Sequence, residues 1–188
     1  MTAEMTARRL MIGCAVVTVL LCSCIADNAA SQDNELTVNS KLPQFSTLVL
    51  VCDTADWRFN DSDYLFDSHA DNGSVRVIVF FHTSCPDCQR DLPVIQSVYN
   101  IIKGNRDVSL VCISREQDAS DIQDYWHQNN LTLPYSAQSD RSIYNLFASS
   151  GIPRIYVTDR DGVVRRIYTD KDAPQADELA ELIENPFL

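Results

Sequence analysis

The sequence predicts an α/β fold: a central mixed β-sheet flanked by helices, with an N-terminal β extension. Three observations carry that reading. VRVIVFF (Val75–Phe81) is a near-continuous β-branched and aromatic run, the pattern of a central strand buried on both faces. Downstream, apolar strand-like runs alternate with segments of helical periodicity, which produces parallel strand pairing. Near the C-terminus, RIYVTD and VVRRIY flank Asp161-Gly162, the signature of an antiparallel hairpin.

Taken in order, STLVLVC (46–52) reads as a strand, with a weaker one through Trp57–Phe59. Residues 61–74 are polar, punctuated by Gly73, and read as a loop or short helix. After the 75–81 strand, Val94, Ile95, Val98, Ile101 and Ile102 recur at helical spacing, and Gly104 closes that element. VSLVCI (108–113) is a second buried-type strand. Ala119–Asn130 places Ile122, Tyr125 and Trp126 on one helical side, and Ile143, Leu146 and Phe147 mark a further short helix. After the hairpin, 175–184 is an amphipathic helix with Leu179, Leu182 and Ile183 inward.

The N-terminus predicts export rather than fold. Arg8 and Arg9 precede the apolar run Leu10–Leu21, which is too short for a confident membrane span. LCSC (21–24) resembles the lipobox of bacterial lipoproteins: an aliphatic residue, a small Ser23, then a cysteine. That resemblance implies cleavage after residue 23 and a diacylglycerol on Cys24. Residues 24–41 are polar and read as a flexible tether, and 42–188 as the domain. Export places the protein in the cell envelope, facing the periplasm, where disulfides persist. The chain of 188 residues has a net charge of −11, which argues against nucleic-acid binding, since that needs Lys and Arg against phosphate. A monomer is expected.

The chemistry centres on FFHTSCPDCQRDLP (80–93). A C-x-x-C pair serves zinc, haem, a staple or redox exchange. Zinc needs further ligands, but there is no second such pair, and His69, His82 and His127 lack ligand spacing. Haem attachment needs His after the second cysteine, where Gln89 stands. A staple across so short a loop gains little. Redox exchange fits the surroundings. A helix starting at the first cysteine aims unpaired N–H groups and the positive dipole end at its sulfur, favouring the attacking thiolate. Ser84 is the expected cap, and Pro86 suits the first turn. Cys85 is the candidate nucleophile and Cys88 the resolving thiol. No metal or cofactor is called for.

These residues resemble the active-site segment of the thioredoxin superfamily, and most closely its exported TlpA/ResA-like thiol–disulfide oxidoreductases. The C-P-D-C pair follows the central strand, and Pro93 lies where the family has a helix-kinking proline. GIPRIYVTDRDGVV (151–164) resembles the family's G-[IV]-P-T-x-F-x-I-D-x-x-G, and Leu42-Pro43-Gln44-Phe45 its P-x-F opening. The resemblance implies a thioredoxin-like fold with Pro153 cis and facing the cysteines. It also implies that Ile152, Pro153 and Pro86 contact the client. The implied clients are disulfide-bearing exported proteins, such as apocytochrome c. The implied electron donor is a membrane thiol transporter of the DsbD/CcdA type. Val79 stands where classical thioredoxins bury an acid, so another carboxylate or water must take the Cys88 proton. Phe81 and Ser84 replace the usual tryptophans. Asp87 between the cysteines opposes a second negative charge and predicts a reducing pair.

Two other classes share parts of the pattern. A peroxiredoxin-like thiol peroxidase would need Pro and Thr where Ile78 and His82 stand. A non-catalytic lipoprotein scaffold would have little need of both cysteines and both prolines. His82 reads as a loop histidine, and Cys52 and Cys112 as buried structural thiols.

Overall fold

The structure, a computed structural model, describes residues 35–51, 63–69 and 73–185. The expected signal 1–23, Cys24, Cys52 and the strand expected at Trp57–Phe59 lie outside these residues.

Strand β3 (Val75–Phe81) sits at the centre of a five-stranded sheet, and all seven of its residues are buried. With β4 (Val108–Ser114), β5 (Tyr135–Ser136), β6 (Arg154–Thr158) and β7 (Val164–Thr169), the order is β5-β4-β3-β6-β7. β3, β4 and β5 run parallel, whereas β6 and β7 are antiparallel, so the sheet is mixed as expected. Among the described residues, three helices flank it: α1 (Pro86–Ile102), α2 (Ala119–Gln128) and α3 (Ala176–Glu184). A 3-10 turn at Tyr144–Leu146 replaces the short helix expected there.

The pleat of β3 sends neighbouring side chains to opposite faces. Phe80 packs edge-on against Tyr144, Phe147 and Tyr156, while Phe81 lies 4.9 Å from Trp126 of α2. Trp126 is fully enclosed, and its indole N–H donates to the Leu133 carbonyl at 2.9 Å. A continuous apolar strand is thus covered on both sides, which fixes where its C-terminal end, and the cysteines after it, emerge.

Two expectations near the N-terminus need correction. Within 61–74, read as loop or short helix, Tyr64–Asp67 forms a strand, β2, antiparallel to β1 (Ser46–Val49). Its alternation is masked in sequence because only Phe66 is deeply buried, opposite Thr47. The tether is also docked from Glu35 onward. The Leu36 N–H donates to the Phe147 carbonyl at 2.7 Å, Asn39 and Ser40 pair with Val164, and Glu35 meets Arg154. Residues 39–42 therefore pair with residues 162–164, where the hairpin turns into β7, and Leu50 exchanges two hydrogen bonds with Tyr135 of β5. The N-terminal extension thus reaches from the start of one edge strand to the other edge strand.

The β6–β7 hairpin turns at Asp161-Gly162 as expected. Gly162 has φ +73°, and a Cβ there would sit 3.0 Å from Arg76 Nη1. Asp159 holds the turn by accepting the Asp161 and Val163 N–H groups and pairing with Arg165 at 2.7 Å. Gly162→Ala should lower stability by about 1–2 kcal/mol, the cost of a left-handed conformation for a residue with a side chain. Urea unfolding measures it; an unchanged midpoint would show that the turn relaxes freely.

Candidate active site

β3 ends at Phe81, and residues 82–85 make a tight turn closed by the Cys85 N–H donating to the His82 carbonyl at 3.0 Å. Helix α1 then starts at Pro86, whose missing N–H costs nothing at that position. The N-cap is Cys85 itself. Its backbone is extended (φ −82°, ψ 119°), and its Sγ accepts the Cys88 N–H at 3.5 Å. This corrects the expected Ser84 cap. Ser84 turns the other way, and its N–H and hydroxyl both meet His82 Nδ1, at 3.1 and 2.9 Å. The sulfur thus occupies the place of a capping oxygen, at the positive end of a 17-residue helix. Pro93 lies within that helix, where the family pattern placed it.

The two thiols differ sharply. Cys85 is half-buried, whereas Cys88 is 1% exposed. Burial pushes the Cys88 thiol well above its ordinary range, the hydrogen bond to Cys85 adds to this, and the His82 backbone N–H opposes it. Cys112, buried in β4 as expected, is pushed up by burial alone.

Facing Cys85 is the loop before β6. The Ile152–Pro153 peptide is cis, and the Ile152 carbonyl lies 3.6 Å from Cys85 Sγ. The loop is held from behind. The Tyr144 hydroxyl donates to the Gly151 carbonyl at 2.6 Å, and the Arg154 guanidinium donates to the Ser150 carbonyl. Gly151, at φ +83°, supplies the backbone turn into it. The start of α1, with Cys85, Pro86 and Cys88, therefore lies beside the Ile152–Pro153 loop.

Two electrostatic features were not anticipated. Val79 is buried in β3 as an apolar residue, but α1 brings a carboxylate from another direction: Asp91, 2% exposed. Its charge is one of the influences that keep the Cys88 proton in place. The signal was the i, i+3 spacing from Cys88, which puts both side chains on one helical side. The second feature is Arg90, which bridges Asp87 at 2.6 Å and Asp91 at 2.7 Å. The Asp87 charge, read as opposing a Cys85 thiolate, is thus shared with a cation. Both Arg90 and Asp87 are about half exposed, so that pair is screened by solvent and weak.

Fold and site together define a thioredoxin-like domain with a paired-cysteine centre, and residues 73–164 match the family model described as thioredoxin-like. The ResA thiol–disulfide oxidoreductase of Geobacillus kaustophilus is 22% identical over 165 residues, 86% of this chain and 88% of that one. The sporulation thiol–disulfide oxidoreductase A of Bacillus subtilis is 26% identical over 98 residues, 50% of this chain and 59% of that one. Among solved structures, the thioredoxin domain of a Bacteroides vulgatus thiol–disulfide oxidoreductase superposes with a TM-score of 0.62 at 15% identity, covering 82% of this chain and 100% of that one.

The raised thiols make stability fall in alkali. Above the ordinary thiol value of 9.0, Cys88 and Cys112 keep their protons when folded and lose them when unfolded. Unfolding then releases protons, so the stabilisation present below about pH 9 is lost as pH rises, by up to about 1.4 kcal/mol per pH unit per thiol. Urea midpoints of the reduced protein at pH 8 and 10 should show the drop, and Cys112→Ala should flatten it. A slope unaffected by that substitution would contradict the burial of Cys112.

Proposed function

We propose that this protein reduces disulfides of exported proteins in the cell envelope. The domain is of the thiol–disulfide oxidoreductase kind, as its homologues' names and its own cysteine pair concur. The observation that carries the mechanism is Cys85 Sγ at the start of α1, 3.6 Å from the Ile152 carbonyl. It supports Cys85 as the nucleophile, and the enclosure of Cys88 supports that thiol as the resolver.

The Cys85 thiolate attacks one sulfur of a client disulfide, and the client's other sulfur leaves as a thiol after taking a proton. Cys88 then loses its proton, attacks Cys85 Sγ and expels the client's second thiol. Two electrons and two protons pass to the client, and Cys85–Cys88 ends as a disulfide. Asp91 is the carboxylate placed to accept the Cys88 proton, the role left open by Val79. Pro86 and the Ile152–Pro153 loop form the surface on which the client lies. A membrane thiol donor of the DsbD/CcdA type restores the dithiol. Cys24 carries the lipid anchor, and residues from Glu35 onward belong to the domain. Arg90 offsets Asp87, but the pair is reducing in this reading, because a buried thiol that holds its proton tightly stabilises the dithiol form.

Purified protein with dithiothreitol should reduce insulin disulfides, and Cys85→Ser should abolish this. Cys88→Ala should accumulate client mixed disulfides that dithiothreitol releases; a uniformly unlinked Cys88→Ala pool would defeat the mechanism. A reduction potential near the strongly oxidising end, about −120 mV, would refute the reducing direction. Metabolic labelling with palmitate, lost in Cys24→Ser, tests the anchor.

Asp91→Asn isolates the proton step. Single-turnover resolution should slow by about 100-fold at pH 7. The deficit should shrink as pH rises, because hydroxide then removes the proton that Asp91 no longer accepts. A pH-independent deficit would assign Asp91 a packing role only.

A further inference from the structure

Gln117 lies between β4 and α2, buried to 6% exposure. Its carboxamide meets Thr83, two residues before the nucleophile. Oε1 accepts the Thr83 backbone N–H at 3.0 Å, and Nε2 donates to the Thr83 hydroxyl. The Thr83 carbonyl accepts from Gln89 of α1 at 2.7 Å. All the hydrogen-bonding groups of Thr83 are therefore engaged, two of them by one side chain.

Gln117 is itself held. Its N–H donates to the Gln138 carbonyl at 2.8 Å, and its carbonyl accepts the Ser114 hydroxyl at 3.0 Å. Ser114 Oγ in turn accepts the Gln138 N–H at 2.7 Å. Gln138 Nε2 donates to Ser136 Oγ and Thr47 Oγ1, which lie 2.6 Å from each other. A polar chain thus runs from β1, past the ends of β5 and β4, to the turn that presents Cys85. Satisfied buried networks of this kind specify one arrangement, because each broken link strands a desolvated group.

That turn engages both cysteines. The His82 carbonyl receives the Cys85 N–H, and the His82 backbone N–H acts on the Cys88 sulfur. Thr83 is the next residue. Without Gln117, Thr83 would keep its bond to Gln89 of α1 but lose the two that hold it toward β4, and the sulfurs could drift from the geometry that exchange requires.

We propose that Gln117 is a positioning residue, which clamps Thr83 and thereby sets the exchange reactivity of the Cys85–Cys88 pair. The inference rests on the redox reading above, but its test does not. In the reduced protein, Gln117→Leu should slow iodoacetamide alkylation of Cys85 at pH 7 about tenfold, the factor that corresponds to one lost hydrogen bond. It should also shift the dithiol–disulfide equilibrium against glutathione. Gln117→Glu keeps an acceptor for the Thr83 N–H and hydroxyl and should lie closer to wild type. Thr83→Val, which removes only the hydroxyl, should slow alkylation about threefold, and in a Gln117→Leu background should add little, because the two groups act as one unit. Wild-type alkylation rate and glutathione equilibrium in Gln117→Leu, with only a lower urea midpoint, would overturn the proposal. Should Gln117→Leu not fold, unchanged reactivity in both Gln117→Glu and Thr83→Val would overturn it equally. Failure of the wild type to reduce insulin would instead defeat the proposed function, leaving the alkylation comparison readable.

Discussion

The structure depends on one contact: a sulfur doing the work of a helix cap. Helix starts strand backbone N–H groups that need an acceptor, and Ser, Thr, Asp or Asn ordinarily supplies one. Here the acceptor is Cys85 Sγ, at 3.5 Å from the Cys88 N–H. Sulfur is a weak acceptor as a thiol and a strong one as a thiolate. At this position the sulfur faces the N–H groups of the first helical turn. The surrounding residues protect this arrangement. Pro86 brings no extra donor to satisfy, and Ser84, the obvious competitor for the cap, is occupied with His82.

Because the cap position lies at the protein surface and the next turn of the helix faces inward, a spacing of three residues separates the thiols by environment. Cys85 remains accessible while Cys88 is enclosed. Burial disfavours the charged form of Cys88, and the charge of the enclosed Asp91 disfavours it further. Arg90 moderates both acids of the segment, one exposed and one buried, from a single guanidinium. Helix geometry thus gives the two thiols different environments.

Legibility in the sequence followed the range of the interaction. The β3 run, the C-P-D-C pair, the Gly-Ile-Pro loop and the Asp-Gly hairpin are written in contiguous residues, and each stands where expected. Asp91 could have been found from its spacing, but a single acid three residues from a cysteine carries no signal until burial is known. Tyr64–Asp67 was missed because only one of its four side chains is deeply buried, so strand alternation never emerges. Tyr135–Ser136 is too short to show a period, and it is a strand because β4 on one side and Leu50 on the other pair with it. Gln117 was invisible for a different reason. Its role comes entirely from a partner 34 residues earlier, and glutamine in a polar stretch looks like surface.

The same limit applies to the domain boundary. The family match spans residues 73–164, yet the residues before it are structural parts of the sheet. Residues 39–42 pair with the start of β7 and Leu50 pairs with β5, so the N-terminal extension touches both edge strands of the sheet. Phe45 packs against Phe147, which also touches Phe80 at the end of the central strand. Thr47 continues the polar chain that ends at Thr83. An apolar route and a polar route therefore both connect the extension to the strand and turn that present Cys85. On physical grounds the working unit is larger than the family core, because the groups that hold the nucleophile's turn are themselves held by residues outside it.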